Sequence, residues 1–264
     1  MVDGLLIYLM LGAIAGATAG LLGLGGGVII VPALYMLFSA QGMPSELVMH
    51  MAIGTSLATI IFTSLSSISA HHQQGGVEWP LVRQLLPGIL LGVVVGSLIA
   101  DQLDSRTLRL FFGFFELFVA AQILFSLIPK SQRTVHSRWT YSAAGSVTGV
   151  ISALLGIGGG SFIVPFLSWC GVNMRHAIAT SAACAFPIAL LGTVSFIWLG
   201  QASHQQVMPW AVGYIYLPAL GGILLTSLLV ARLSANYAHS APQLLLKRIF
   251  SGVLVLVGLK MILG

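Results

Sequence analysis

GLLGLGGGVIIVP, residues Gly20 to Pro32, sets four glycines within five positions of an apolar run, and ALLGIGGGSFIVP, residues Ala153 to Pro165, does so again. Each glycine costs about 1 kcal/mol against alanine in a helix interior. Gly23 to Gly27 and Gly156 to Gly160 are therefore expected to break a helix. Glycine offers in return a backbone that takes positive φ and lets another group approach closely. What such a break can do depends on whether water or lipid surrounds it.

The rest of the chain answers for lipid. Of 264 residues 57% are hydrophobic and only 6% charged, with a mean hydropathy of +1.00. A soluble domain carries about 25% charged residues, so these few cannot cover a water-exposed surface. Eight apolar blocks fall near 5–38, 47–70, 80–100, 107–128, 139–171, 174–199, 207–230 and 244–263. They use up almost the whole length, and they reach the roughly 20 residues that span a bilayer. The chain reads as an all-α, polytopic integral membrane protein with no room for a separate soluble domain. Its net charge of +5 then reflects Lys and Arg gathered in cytoplasmic loops, not nucleic-acid binding. Cys170 and Cys184 lie in or beside apolar runs, so no disulfide framework is expected. Asp3 stands where a signal peptide would be basic, and the first apolar run outlasts an h-region.

The first and fifth blocks are too long for one span and contain the glycine motifs. The most polar linker, PKSQRTVHSRW (Pro129 to Trp139), lies near the middle of the chain. The two halves match in order: LGLGGG (22–27) with LGIGGG (155–160), Val31-Pro32 with Val164-Pro165, and Gly16 with Gly149, each pair 133 residues apart. AIGTS (52–56) then matches AIATS (177–181), and LLP (85–87) resembles YLP (216–218). The expected organisation is two homologous repeats of four apolar blocks, 1–130 and 131–264, with the first block of each broken at its glycine motif.

Loop charge favours an inverted repeat. Glu46 stands in one linker where Arg175 stands in its counterpart. Arg83 borders a linker whose counterpart, 200–206, carries no formal charge. Asp101 and Asp104 balance Arg106 and Arg109, whereas 231–248 holds Arg232, Lys247 and Arg248. If each long first block enters and leaves the membrane on one side, Arg83, Lys130, Arg133, Arg138, Arg175 and the 232–248 cluster share a face. By the positive-inside rule that face is cytoplasmic.

Backbone that leaves a helix inside a membrane must be buried in protein or line a cavity. Paired broken helices in the two halves point to a transporter's binding site. VIIVP and SFIVP each start a new helical segment, whose free N–H groups and positive dipole end would face the break. Glycine loops at helix N-termini bind anions. The candidate donors are thus Gly23, Gly25, Gly26 and Gly27 in one half and Gly156, Gly158, Gly159, Gly160 and Ser161 in the other. Close helix packing alone is the bland reading of glycine in membranes, and it suits Gly12, Gly16, Gly20, Gly92 and Gly96. A dinucleotide site is excluded, for no strand, GxGxxG register or following acid accompanies the glycines.

Thr55 and Ser56, and Thr180 and Ser181, add hydroxyls suited to an oxyanion that must be released. The bland reading is a helix hydroxyl bonded to its own carbonyl. Glu116, deep in FFGFFELFVAAQ, is an intramembrane acid and a functional hypothesis by default; it could carry a coupling proton or sit neutral in a structural hydrogen bond. His50, His71, His72, His176 and His204 read as boundary residues, with a gating or proton role as the alternative. No metal site, cofactor site or catalytic set emerges: HExxH and the G-x-S-x-G elbow are absent.

With LLGLGGGVIIVPAL and LLGIGGGSFIVPFL each followed by A-I-x-T-S, the chain resembles the TauE/SafE sulfite-exporter-like permeases over nearly its whole length. The resemblance implies about eight membrane segments in two related halves, a bacterial inner-membrane location and transport of sulfur-containing anions such as sulfite, thiosulfate or organosulfonates. Carried over by motif, the site falls on the two glycine motifs and the two Thr-Ser pairs. The expectation is a secondary transporter, not an enzyme, with a small sulfur-containing anion and the lipid bilayer as partners. Association of several copies is compatible with this. The alternative is a membrane subunit or enzyme that passes sulfur or a metabolite to a partner, with Cys184 as relay.

Overall fold

The computed structural model describes residues 2–22, 26–124, 137–202, 209–237 and 243–264. It contains α1 (Val2–Leu22), α2 (Gly27–Ala40), α3 (Val48–Gln73), α4 (Trp79–Gln102) and α5 (Ser105–Leu124). After the mid-chain linker come α6 (Arg138–Leu155), α7 (Gly160–Trp169) and α8 (Met174–Ala202). Strands β1 (Ala211–Val212) and β2 (Ile215–Tyr216) precede α9 (Leu217–Tyr237) and α10 (Gln243–Leu263). Helices α3, α4, α5 and α8 are long and apolar enough to cross a membrane; α2, α7 and the segments 6–17, 217–230 and 251–263 are shorter apolar helices. Large side chains such as Leu91, Phe114, Trp198 and Leu256 are 61–70% exposed, which is tolerable only against lipid. The chain is a multi-pass, helical membrane protein.

Short helices α2 and α7 run back along the helices before them. Tyr8 on α1 donates its hydroxyl to Gln41 Oε1, just past α2, at 3.0 Å. Tyr141 on α6 meets the Phe166 ring of α7 edge-on, with centroids 5.7 Å apart. At a rise of 1.5 Å per residue, the ten residues of α7 span about 15 Å, half the hydrocarbon thickness. The fourteen residues of α2 span about 21 Å, so neither short helix crosses the hydrocarbon by itself.

Small residues set the longer contacts. Gly88 packs on the Ser142 backbone, Gly92 on Ser146 and Gly96 on Val150, so α4 and α6 run parallel with their backbones in close approach. Gly12 packs on Ile223 and Gly16 on Ser227, so α1 and α9 are parallel too. Packing is thus the role of Gly12, Gly16, Gly92 and Gly96, as their spacing suggests; the side of Gly20 lies outside the described residues. Close backbone approach supplies the dispersion contacts that hold helices together in lipid. By contrast, Gly54 meets Phe196 while Gly192 meets Leu57, which makes α3 and α8 antiparallel. Gly113 meets Met261 while Gly258 meets Leu117, which makes α5 and α10 antiparallel.

The chain is all-α in class, with one small addition: β1 and β2 pair as an antiparallel hairpin turned by Gly213 at φ +57°. Gly213 lies against the Ile197 carbonyl and Gly200 against the Tyr214 amide. One sequence expectation needs correction: LLP and YLP do not correspond. Pro87 lies inside α4, whereas Pro80 is in its first turn, the place that Pro218 holds in α9, where a missing N–H costs nothing.

Between α4 and α5 the chain reverses at Asp104, whose carbonyl accepts the Leu108 amide at 3.1 Å. Its carboxylate accepts the Thr107 hydroxyl and nearby amides, which holds it below the ordinary carboxylate range.

Candidate functional site

The second glycine break has two ends of opposite character. Helix α6 closes cleanly: Gly156 takes φ +69°, and its N–H and that of Ile157 both reach the Ser152 carbonyl, the latter at 3.1 Å. This αL termination satisfies carbonyls that would otherwise be orphaned. The next one, Gly156 O, accepts the Ser56 hydroxyl at 2.8 Å. One carbonyl at the end of α6 is thereby engaged.

Helix α7 opens without such closure. Gly159, at φ +76°, occupies its N-cap and offers no side chain to the first-turn amides. Ser161 in that turn is 4% exposed, and its hydroxyl has no partner among the described residues. Ser152 is fully buried with its hydroxyl likewise unpartnered, 3.3 Å from where a Gly159 side chain would begin. Buried helix ends left unsatisfied are unusual, and buried hydroxyls normally find partners. Unpaired donors beside a positive dipole end suit an anion.

Glycine lets the two breaks meet. A side chain on Gly27 would start 2.8 Å from Gly156 O and 3.1 Å from Ile157 Cα. Gly156 itself lies against Ile53 of α3, and Gly158 against Ile60 of α3 and Ala185 of α8. Ile60 and Ala185 lie near the middle of α3 and α8, whereas Ile53 is in the second turn of α3. The first turn of α2 also lacks a side-chain cap, but its setting is apolar. Gly26 keeps an ordinary φ of −72°, and Val28 and Ala15 are buried beside it. Gly23 and Gly25 lie outside the described residues.

Among the Thr-Ser hydroxyls, three have clear structural bonds. Ser56 holds Gly156 as described. Thr55 Oγ1 accepts the Tyr216 amide at 3.0 Å, at the start of α9. Thr180 Oγ1 accepts the Glu78 amide at 3.1 Å, at the start of α4. Each threonine thus ties down the segment that leads into a helix of the other half. Ser181 is buried at 3% exposure.

Other groups strengthen these two ties. Beside Thr180, His176 Nδ1 lies 3.0 Å from Gly76 O and 3.2 Å from Glu78 Oε1, and Arg175 donates to Gln74 at 3.3 Å. Beside Thr55, His50 Nε2 lies 2.9 Å from Ala100 O and its ring meets that of Tyr214. Tyr214 donates in turn to Asp101 at 3.1 Å. At the far side of the helix end, His72 Nδ1 accepts the Trp79 indole N–H. His204 lies outside the described residues.

Glu116 is fully buried, and neither carboxylate oxygen has a partner among the described residues. Its Cβ is 3.2 Å from where a side chain on Gly258 of α10 would begin. The preceding ring, Phe115, stacks on Phe162, the residue after Ser161, with centroids 5.4 Å apart. Cys184 is fully buried in the cluster with Ile163 and Ile188, so its thiol cannot meet a partner protein. Ser152 was not singled out in the sequence. Its signal was a serine four residues before a glycine break, which mid-helix serines in membranes often mimic without consequence.

The sulfite exporter TauE/SafE family model matches residues 8–261. The chain belongs to this family. A probable membrane transporter protein of Haemophilus influenzae is 39% identical over 98% of both chains. Bacillus subtilis has a relative named probable membrane transporter protein YunE, 29% identical over 83% of this chain and 87% of its own. One from Methanocaldococcus jannaschii, also named a probable membrane transporter protein, is 25% identical over 97% of this chain and 95% of its own. Family and relatives alike support a membrane transporter. Nothing in these names points to an enzyme.

Proposed function

We propose that this TauE/SafE member is a secondary transporter for a small sulfur-containing anion such as sulfite, thiosulfate or an organosulfonate. The observation that supports the reading is the meeting of two helix breaks inside the helix bundle, where two buried hydroxyls beside the α7 start have no partner among the described residues. The donors would be the amides of Gly158, Gly159, Gly160 and Ser161 and those of Gly23, Gly25, Gly26 and Gly27. Neutral donors hold an anion while leaving it free to depart, which turnover requires.

An inverted relation between the halves, 1–130 and 131–264, fits the helix directions. Under inversion, equivalent helices run antiparallel, as α3 with α8 and α5 with α10 do. The parallel pairs α4–α6 and α9–α1 exchange places under the same operation. With that arrangement Arg83, Arg138 and Arg175 and the basic linkers share one end, which the positive-inside rule makes cytoplasmic. The threonine ties then act as two gates, Thr180–Glu78 on the cytoplasmic side and Thr55–Tyr216 on the other. Alternate loosening of one tie and then the other would expose the site to each side in turn. Glu116, one residue from a ring stacked on α7, is the candidate to carry a coupling proton. A bacterial inner membrane is the setting that the family resemblance implies.

Purified protein in liposomes should move labelled sulfite, thiosulfate or a sulfonate down an imposed proton gradient. No movement of any sulfur anion, with the gradient in either direction, would refute transport of this class.

A further inference from the structure

We infer that the site is one-sided and selects singly charged anions, with Ser152 and Ser161 as its hydroxyl donors; this rests on the anion-transport reading above. The two breaks are unequal in chemistry. Around the start of α7 stand two buried hydroxyls, Ser152 and Ser161, without partners among the described residues. At the places 133 residues earlier the sequence has Ala19 and Val28, and Val28 is buried. The first break therefore contributes backbone amides and an apolar wall, and the second contributes amides and both hydroxyls. A bound oxyanion would lean toward α7.

Charge sets the ligand class. Among the described residues, the buried polar set includes no lysine or arginine. Positive potential beside Ser152 and Ser161 then comes from the uncapped α7 start, equivalent to roughly half an elementary charge. That offsets part of one negative charge on a ligand and less of a second. A second charge on the ligand would enter this buried site with little to offset it, and an isolated buried charge is strongly disfavoured; of the anions named above, the site would take bisulfite or an organosulfonate monoanion and reject thiosulfate, a dianion at neutral pH. Ser56 also engages the Gly156 carbonyl, which would otherwise stand at the break as a free acceptor.

Methanesulfonate and sulfate test this directly, for both are small tetrahedral anions and differ by one charge at neutral pH. The readouts are competition against labelled methanesulfonate uptake in proteoliposomes, and thermal stabilisation of the detergent-solubilised protein by each anion. Methanesulfonate should compete and stabilise at concentrations at least tenfold below those needed for sulfate. Ser152→Ala should weaken methanesulfonate by roughly tenfold or more, as loss of a hydrogen bond to a charged group does. The same change should leave the unliganded melting temperature within a degree or two, because alanine suits a helix. Ser161→Ala is the second variant and should act in the same direction. Equal competition by sulfate, or an unchanged Ser152→Ala affinity, overturns the inference. Selective stabilisation without uptake would uphold the site and refute the transport reading. Neither binding nor uptake of any anion would refute both.

Discussion

Adjacent glycines at the first break should respond oppositely to alanine. At Gly27 the new methyl would start 2.8 Å from the Gly156 carbonyl oxygen and 3.1 Å from Ile157 Cα. Both are backbone atoms, so the two breaks must move apart by a few tenths of an ångström. Overpacking of this kind costs typically 1–3 kcal/mol, which for a chain of this size lowers the melting temperature by roughly 3–10 °C. It also displaces the α2 start from the break that follows α6, so transport should be lost. At Gly26 the nearest atom is the tip of the Ile30 side chain at 3.1 Å, followed by Ala15 Cβ at 3.7 Å. The backbone there has φ −72°, which alanine adopts freely. Gly26→Ala should be neutral or stabilise by about 0.4–1 kcal/mol through the unfolded chain. Thermal unfolding in detergent and uptake in proteoliposomes measure both variants. Equal losses for Gly26→Ala and Gly27→Ala would refute the contact between the breaks.

Other outcomes follow from the same geometry. Gly159→Ala should destabilise by about 1–2 kcal/mol, since φ +76° is left-handed and disfavoured for alanine, and should abolish uptake. Ser56→Ala leaves the Gly156 carbonyl unpaired; a loss near 0.6 kcal/mol is expected from membrane hydrogen bonds, with at most 1–3 kcal/mol if the carbonyl stays dry, read by thermal unfolding. Glu116→Gln should fold normally and, if the carboxyl carries the coupling proton, should exchange anions but no longer respond to a proton gradient in a flux assay. Cysteines introduced at 130–138 and 232–248 should label from the same side of the membrane in intact cells; opposite labelling would refute the inverted arrangement.

Much of the fold was legible because glycine in lipid has few uses. The four-residue spacings of Gly12 and Gly16 and of Gly92 and Gly96 mark faces where backbones touch, and those faces do pack on α9 and α6. The hairpin at 211–216 was not legible. AVGYIYLP has the apolar, aromatic make-up of a helix start, and what makes it a hairpin is a distant surface, Gly200 and Ile197 on α8. The same limit applies to the site. Ser161 stood out because it follows the glycines directly. Ser152 did not, because its lack of a partner depends on where Gly159 folds back. Thr55 and Thr180 were noticed as a matched pair, but their hold on Tyr216 and Glu78 spans 161 and 102 residues of sequence.

The parallel pairs also set a timetable for synthesis. Gly88 meets Ser142 and Gly96 meets Val150, partners that leave the ribosome within roughly 3–10 seconds of each other at ordinary elongation rates. Gly16 must wait for Ser227, a delay of roughly 10–40 seconds at the same rates. During that interval α1 presents a groove of small residues with nothing to fill it. The nascent chain therefore needs either a membrane insertase that shelters α1 or a provisional neighbour that α9 later displaces. The amino-terminal half made by itself would be expected to remain in that waiting state.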